Sequence, residues 1–172
     1  MVTQTRLAPR SRSPRPRVVW KRTKAKARAL EHAGELEDPE LAQALEAQVL
    51  QADSPDQVEA AVSLATELNV TRAVGRIKEA IRDKRRCTIR YRPEGGGVET
   101  YHVAPLDIKP GTTAPTRAKD YVWAHSYEHD HLVSLRLDRV LGVELSEETF
   151  DPAEVTAEWE EGERAWNVPR DW

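Results

Sequence analysis

The stretch SLRLDRV, residues 134–140, sets Arg136 and Arg139 around Asp138 in a run that otherwise alternates like a β-strand. Guanidiniums so placed either pin a small β-structure through an ion pair or offer forked donors to an anion. Outward from this stretch the chain keeps a strand texture. DYVWAHSY (120–127) reads as a strand, EHDH (128–131) as a turn, LVSLRLDRV (132–140) as the next strand, and VLGVEL (140–145) as another. Upstream, CTIRYR (87–92) alternates Cys87, Ile89 and Tyr91 against Thr88, Arg90 and Arg92. PEGGGVE (93–99) is a turn whose glycines permit positive φ. ETYHVAPLDI (99–108) is a second strand that breaks near Pro105, as a bulge would, and KPGTTAPTRAK (109–119) is a loop. Five short strands in about sixty residues fit a small, strongly bent antiparallel barrel, because closure removes exposed edges in little chain.

Ahead of the strands the periodicity is helical. VVWKRTKAKARALEHAGE (18–35) begins the first helix, with Gly34 as its stop. DPELAQALEAQVLQA (38–52) has Asp38 as N-cap and Pro39 at the first helical position, with Leu41, Leu45, Val49 and Leu50 at helical spacing. Ser54 and Pro55 open a third helix carrying Val58, Val62, Leu64 and Leu68. Thr71 caps a fourth, RAVGRIKEAIRDKRR (72–86), with Val74, Ile77 and Ile81 on one face. The expected architecture is therefore α+β, N-terminal helices followed by a small five-stranded antiparallel barrel. It divides into a disordered basic arm (1–17), a helical module (18–70), a barrel domain with its leading helix (71–152) and an acidic Trp-rich tail (153–172).

The net charge of −3 hides a segregation. Residues 1–28 carry ten Lys/Arg and no acid, and residues 29–71 carry ten Asp/Glu and no Lys/Arg. Residues 72–92 hold nine bases against two acids, and residues 144–172 hold ten acids against two bases. Such blocks point to polyanion binding or to one block folding over another. The tail, with Trp159 and Trp166 a heptad apart, reads as an amphipathic helix docking on the barrel or on a second copy. Its acids could also occupy a basic groove in place of nucleic acid. No apolar run approaches the roughly 20 residues of a membrane helix, and no secretory signal is evident. The single cysteine, Cys87, excludes an internal disulfide, so a cytoplasmic protein is expected.

The order RIKEAIRDKRR, CTIRYRP, YHVAPLDIKP, DYVWAHSY, LRLDRV and SEETFDP, spanning about residues 74–152, resembles the WYL domain, a bacterial regulatory module with an SH3-like or Sm-like barrel. Asp120-Tyr121-Val122 stands where the family has Trp-Tyr-Leu, and Leu135 where an aromatic usually precedes the first arginine. The winged helix-turn-helix that members usually carry ahead of this domain is not recognisable in residues 18–70. The resemblance implies a ligand sensor whose basic pocket takes nucleic-acid fragments or nucleotide-like molecules. Mapped onto this chain, the implied ligand residues are Tyr121, His125, Arg136 and Arg139, with Tyr91 from the first strand. Arg82, Arg85 and Arg86, at the end of the leading helix, either favour that helix C-terminus or add an auxiliary basic wall beside the groove.

The chemistry of these residues is compatible with that role. Tyr121, Trp123 and His125 share one strand face by alternation, and Arg136 sits across from them on the next strand. Tyr and His rings stack on bases while arginines pair with phosphate oxygens. Asp138 would neutralise one arginine, with Arg139 as the expected partner. Polar turn residues account for His125, His129 and His131 better than a metal site does. Neither a nucleophile elbow nor a phosphate-cradling loop occurs, so no enzyme activity, metal or cofactor is expected. The expected function is a regulator binding single-stranded nucleic acid or a nucleotide-like ligand, dimerising through its helices. The alternative is a protein–protein adaptor in which the barrel is structural.

Overall fold

The computed structural model describes residues 16–161, with side chains from 23 to 157. Residues 1–15 of the expected arm, the segment 162–172, and the side chains of Trp159 and Trp166 lie outside the described residues. Helices α1 (Pro16–Glu35), α2 (Pro39–Gln51) and α3 (Pro55–Asp83) precede strands β1 (Arg85–Tyr91), β2 (Glu99–Pro110), β3 (Asp120–Ser126), β4 (His131–Arg136) and β5 (Val140–Thr149). A short helix, α4 (Pro152–Glu161), follows. Among the described residues no helix is long and apolar enough to cross a membrane.

The helix starts follow from side-chain capping. The Asp38 carboxylate accepts from the Leu41 amide at 2.9 Å, with Pro39 next in line. Ser54 and Gln57 form a reciprocal capping box, each side chain bonded to the other's backbone N–H. The expected break at Thr71 is absent. Thr71 donates its hydroxyl back to the Glu67 carbonyl, and α3 runs unbroken for 29 residues to Asp83. Nothing between Pro55 and Asp83 breaks a helix except Gly75, whose cost of about 1 kcal/mol is too small to stop one of this length. Lys84, with φ of 51°, ends it in the left-handed region.

One end of α3 belongs to each of two cores. Val58, Ala61 and Ala65 pack with Ala29, Ala33, Leu36, Leu41, Leu45 and Val49 of α1 and α2. Ala73, Ile77 and Ala80 pack with Cys87, Ile89, Val103, Val122, Leu135 and Val143 of the sheet. The alanines bring α3 close to its neighbours, so the buried face runs through 58, 61, 65, 69, 73, 77 and 80. Leu50, Leu64 and Leu68, expected in the core, are instead 66%, 48% and 46% exposed.

The five antiparallel strands are ordered β4-β3-β2-β1-β5, so β4 and β5 are the two edges. Only one turn of 3-10 helix, Leu137–Arg139, joins them. Four strand spacings would separate the edges of a flat sheet by about 19 Å. The four Cα–Cα steps from Arg136 to Val140 reach about 14 Å at most at full extension. The sheet therefore rolls until its edges approach. The bulge between Pro105 and Asp107 supplies part of that bend, as the sequence indicates, and Gly96 and Gly97 take the expected positive φ in the first hairpin turn.

The β5 edge is covered. Asn69 Nδ2 donates to the Val140 carbonyl at 2.6 Å, the Glu37 amide to Leu141 at 3.3 Å, Arg76 to Val143 at 2.7 Å, and Arg85 Nε to Ser146 at 2.8 Å. A Cβ at Gly142 would collide with the Glu37 side chain, so only glycine lets the α1–α2 connection lie against β5. Glu35 pairs with Arg92 and Asp38 with Arg72, joining that acidic connection to the basic barrel half.

Because α3 is common to both cores, they should unfold together. Ile77→Ala is expected to cost about 2–5 kcal/mol, with helical circular dichroism and Trp fluorescence falling in one coincident denaturant transition. Leu64→Ser should stay within about 0.5 kcal/mol of the parent. Two separated transitions would contradict the shared role of α3.

Candidate ligand-binding site

Strand β3 positions the site by alternation. Val122 and Ala124 enter the core beneath α3, which sends Tyr121, Trp123 and His125 to the opposite face of the sheet. Register then sets Tyr121 opposite Lys109 on β2 and opposite Arg136 on β4. Arg136 ends β4, and the 3-10 turn that follows folds Asp138 back onto it. The pair is bidentate, Nε to Oδ1 at 2.9 Å and Nη2 to Oδ2 at 2.6 Å. Lys119, from the loop before β3, brings Nζ to 3.2 Å from the same carboxylate. That loop is held by Gly111 N donating to the Lys119 carbonyl at 3.1 Å and by hydrogen bonds between Thr113 and Thr116. Lys109 pairs with Asp107 at 3.3 Å.

Two cations thus share the Asp138 carboxylate. Burial pushes the Asp138 carboxyl up, but hydrogen bonds from Arg136 and Lys119 outweigh it and hold the group below its ordinary range. The bond to Asp138 raises Arg136, and the Tyr121 and Tyr91 phenols act on the guanidinium in the same direction. A phosphate or carboxylate presenting two oxygens would meet the same fork that Asp138 now fills.

The residues singled out in the sequence divide into three groups. Arg136 and Tyr121 come together, with Tyr91 bearing on them electrostatically. Tyr91 is itself a buried core residue, its ring edge-on to Tyr101 at 6.0 Å. Arg139 goes elsewhere: its guanidinium lies 3.6 Å from the exposed Glu94, while its carbonyl accepts from the Arg92 amide at 3.0 Å. The partner of Asp138 is therefore Arg136 rather than Arg139, because the chain leaves the strand at Leu137 and strand alternation no longer applies. His125 stands four residues along β3 from Tyr121, about 13 Å at strand rise, beside Asp130 at 3.6 Å and Tyr127 at 5.4 Å.

Each auxiliary arginine has an acidic partner of its own. Arg82 is held by Asp83 at 2.7 Å, and Arg85 is bound to Ser146 and Glu147 of β5. Arg86 pairs with Glu148 at 2.7 Å and lies over the Tyr127 ring. Lys119, the second cation on Asp138, went unnoticed in sequence. Its position directly before the Asp120-Tyr121-Val122 triplet was the available signal. Among the described residues no group of three or more His, Cys, Asp or Glu side chains could hold a metal ion. His131 instead bonds the His129 carbonyl at 2.9 Å within the turn.

A carboxyl whose folded pKa is depressed contributes stability above its unfolded pKa and loses it as pH falls through the folded value. The stability of the parent should therefore drop more steeply than that of Asp138→Asn between about pH 5 and pH 2.5. Urea midpoints across that range would show it, and parallel curves would deny Asp138 this role.

Residues 72–145 match the family model of the WYL domain. Among solved structures the chain is similar to proteasome accessory factor B/C (PafBC) of Arthrobacter aurescens, with 18% identity and a TM-score of 0.43. The similarity covers 77% of this chain and 21% of that one, so the chain spans well under two thirds of that protein's length. No curated protein matches. The stretch that resembles the WYL domain thus runs from the second half of α3 into β5.

Proposed function

We propose that the chain is a regulatory, non-catalytic protein whose WYL domain binds single-stranded nucleic acid or a nucleotide-like anion at the Arg136 end of the barrel. One observation carries this reading. Arg136 and Lys119 converge on a single carboxylate beside the Tyr121 ring, a cationic fork already shaped for two acceptor oxygens. Asp138 holds the fork in the free protein, and an incoming phosphate would take its place. Such an exchange would be felt in α3, because Asn69 bonds the carbonyl of Val140, two residues beyond Asp138. Dimerisation through the helical half and a cytoplasmic location complete the proposal.

A second reading, a protein–protein adaptor with a structural barrel, is favoured by the exposed Leu50, Leu64 and Leu68 on the acidic helices. Salt separates the two. Phosphate neutralisation predicts a steep loss of oligonucleotide affinity between about 50 and 200 mM salt, whereas an apolar interface barely responds.

By fluorescence anisotropy, Arg136→Ala should bind a labelled single strand about tenfold or more weakly, the loss expected for a charged hydrogen-bonded pair. It should also lower the slope of log affinity against log salt by about one. An Arg136→Ala protein with native circular dichroism and unchanged affinity would remove the anion site.

A further inference from the structure

We propose that Arg86, Tyr127 and His125 form a second contact for the same ligand, a platform for one nucleobase about 13 Å along β3 from the Arg136 fork. This deepens the reading above, and rests on it, by making the ligand a strand of several nucleotides rather than a mononucleotide. Tyr127 is 36% exposed and is the only aromatic among the exposed large apolar residues described. The Arg86 guanidinium carbon lies 4.2 Å from its ring centroid, and His125 meets the ring edge-on at 5.4 Å. A guanidinium already resting on a phenol is a partly built stack, which a further planar ring extends.

Two nitrogens at this spot lack partners. Arg86 Nε and His125 Nδ1 are both buried without a hydrogen bond, although Arg86 Nη1 reaches Glu148 and His125 Nε2 faces Asp130. Buried polar atoms left unbonded are costly and uncommon, and a side-chain shift that opens this spot would let the edge of a base, which carries acceptors and donors, satisfy them. The charges nearby select a base over a phosphate. Asp130 faces His125, Glu148 pairs with Arg86, and Glu154 of α4 bears on the Tyr127 phenol. Carboxylates there repel a phosphate and tolerate a neutral ring.

The two contacts lie on one face of the sheet. Register places Ala104 opposite His125 on the same row, and Lys109 opposite Tyr121 on the row of the anion fork. At about 3.4 Å per stacked nucleotide, 13 Å corresponds to about four nucleotides. A dinucleotide held at Arg136 therefore cannot reach Tyr127, whereas a decamer can.

The test uses the full chain with fluorescein-labelled thymidine dinucleotide and decamer, read by anisotropy. Tyr127→Ala should weaken the decamer about fivefold to a hundredfold, the range found for losing one stacked base, and leave the dinucleotide unchanged. Tyr127→Phe, which keeps the ring, should bind both as the parent does, and circular dichroism checks that each variant is folded. Undiminished decamer binding by folded Tyr127→Ala, or equal loss for both lengths, overturns the platform. If Arg136→Ala still weakens both oligonucleotides in that case, the anion fork stands alone. If Arg136→Ala is also without effect, both sites fall.

Discussion

The three residues Leu137–Arg139 impose the constraint on which the rest of the barrel depends. They connect strands at opposite edges of a five-stranded sheet, and so short a link is possible only if the sheet rolls. Rolling produces the interior that Ile89, Val103, Val122, Leu135 and Val143 fill. It also turns Asp138 back toward the end of β4, where it meets Arg136. Closure and the cationic fork are consequences of the same turn. The guanidinium therefore ties the turn to the end of β4, so the short link and the ion pair hold each other in place.

The second organising element is α3. A single helix whose first half is buried by other helices and whose second half is buried by strands makes the two halves of the molecule mechanically continuous. Its polar side chains extend that continuity, since Asn69 and Arg76 bond the backbone of β5. The acidic connection between α1 and α2 adds ion pairs from Glu35 and Asp38 to Arg92 and Arg72. The charge segregation visible in the sequence is thus spent partly inside the molecule, acidic block against basic block, rather than wholly on outside partners.

Much of this was legible in the residues. Asp38-Pro39 and Ser54-Pro55 announce helix starts because their side chains satisfy free amides locally. Gly96 and Gly97 announce a turn that other residues adopt with strain. What escaped notice depended on distant contacts. Thr71 has the chemistry of a cap, yet inside a long helix its hydroxyl returns to Glu67. Leu64 and Leu68 keep helical spacing, but alanines at 61 and 65 won the buried face by permitting closer packing. Tyr121 and Arg136 stand opposite each other as the sequence indicates, because β-alternation and pairing are local rules. The partner of Asp138 differs from expectation because the strand expected to run to Val140 ends at Arg136.

The covered flank of β5 bears on how copies of this chain can assemble. Head-to-tail polymerisation of sheets requires two bare borders, one to donate and one to receive. Here the β5 border is occupied by Asn69, Arg76, Arg85 and the Glu37 amide. Strand-by-strand growth into a fibre is thereby interrupted after one addition. Any sheet extension beyond the single molecule must use β4, and between identical copies it closes as a symmetric pair.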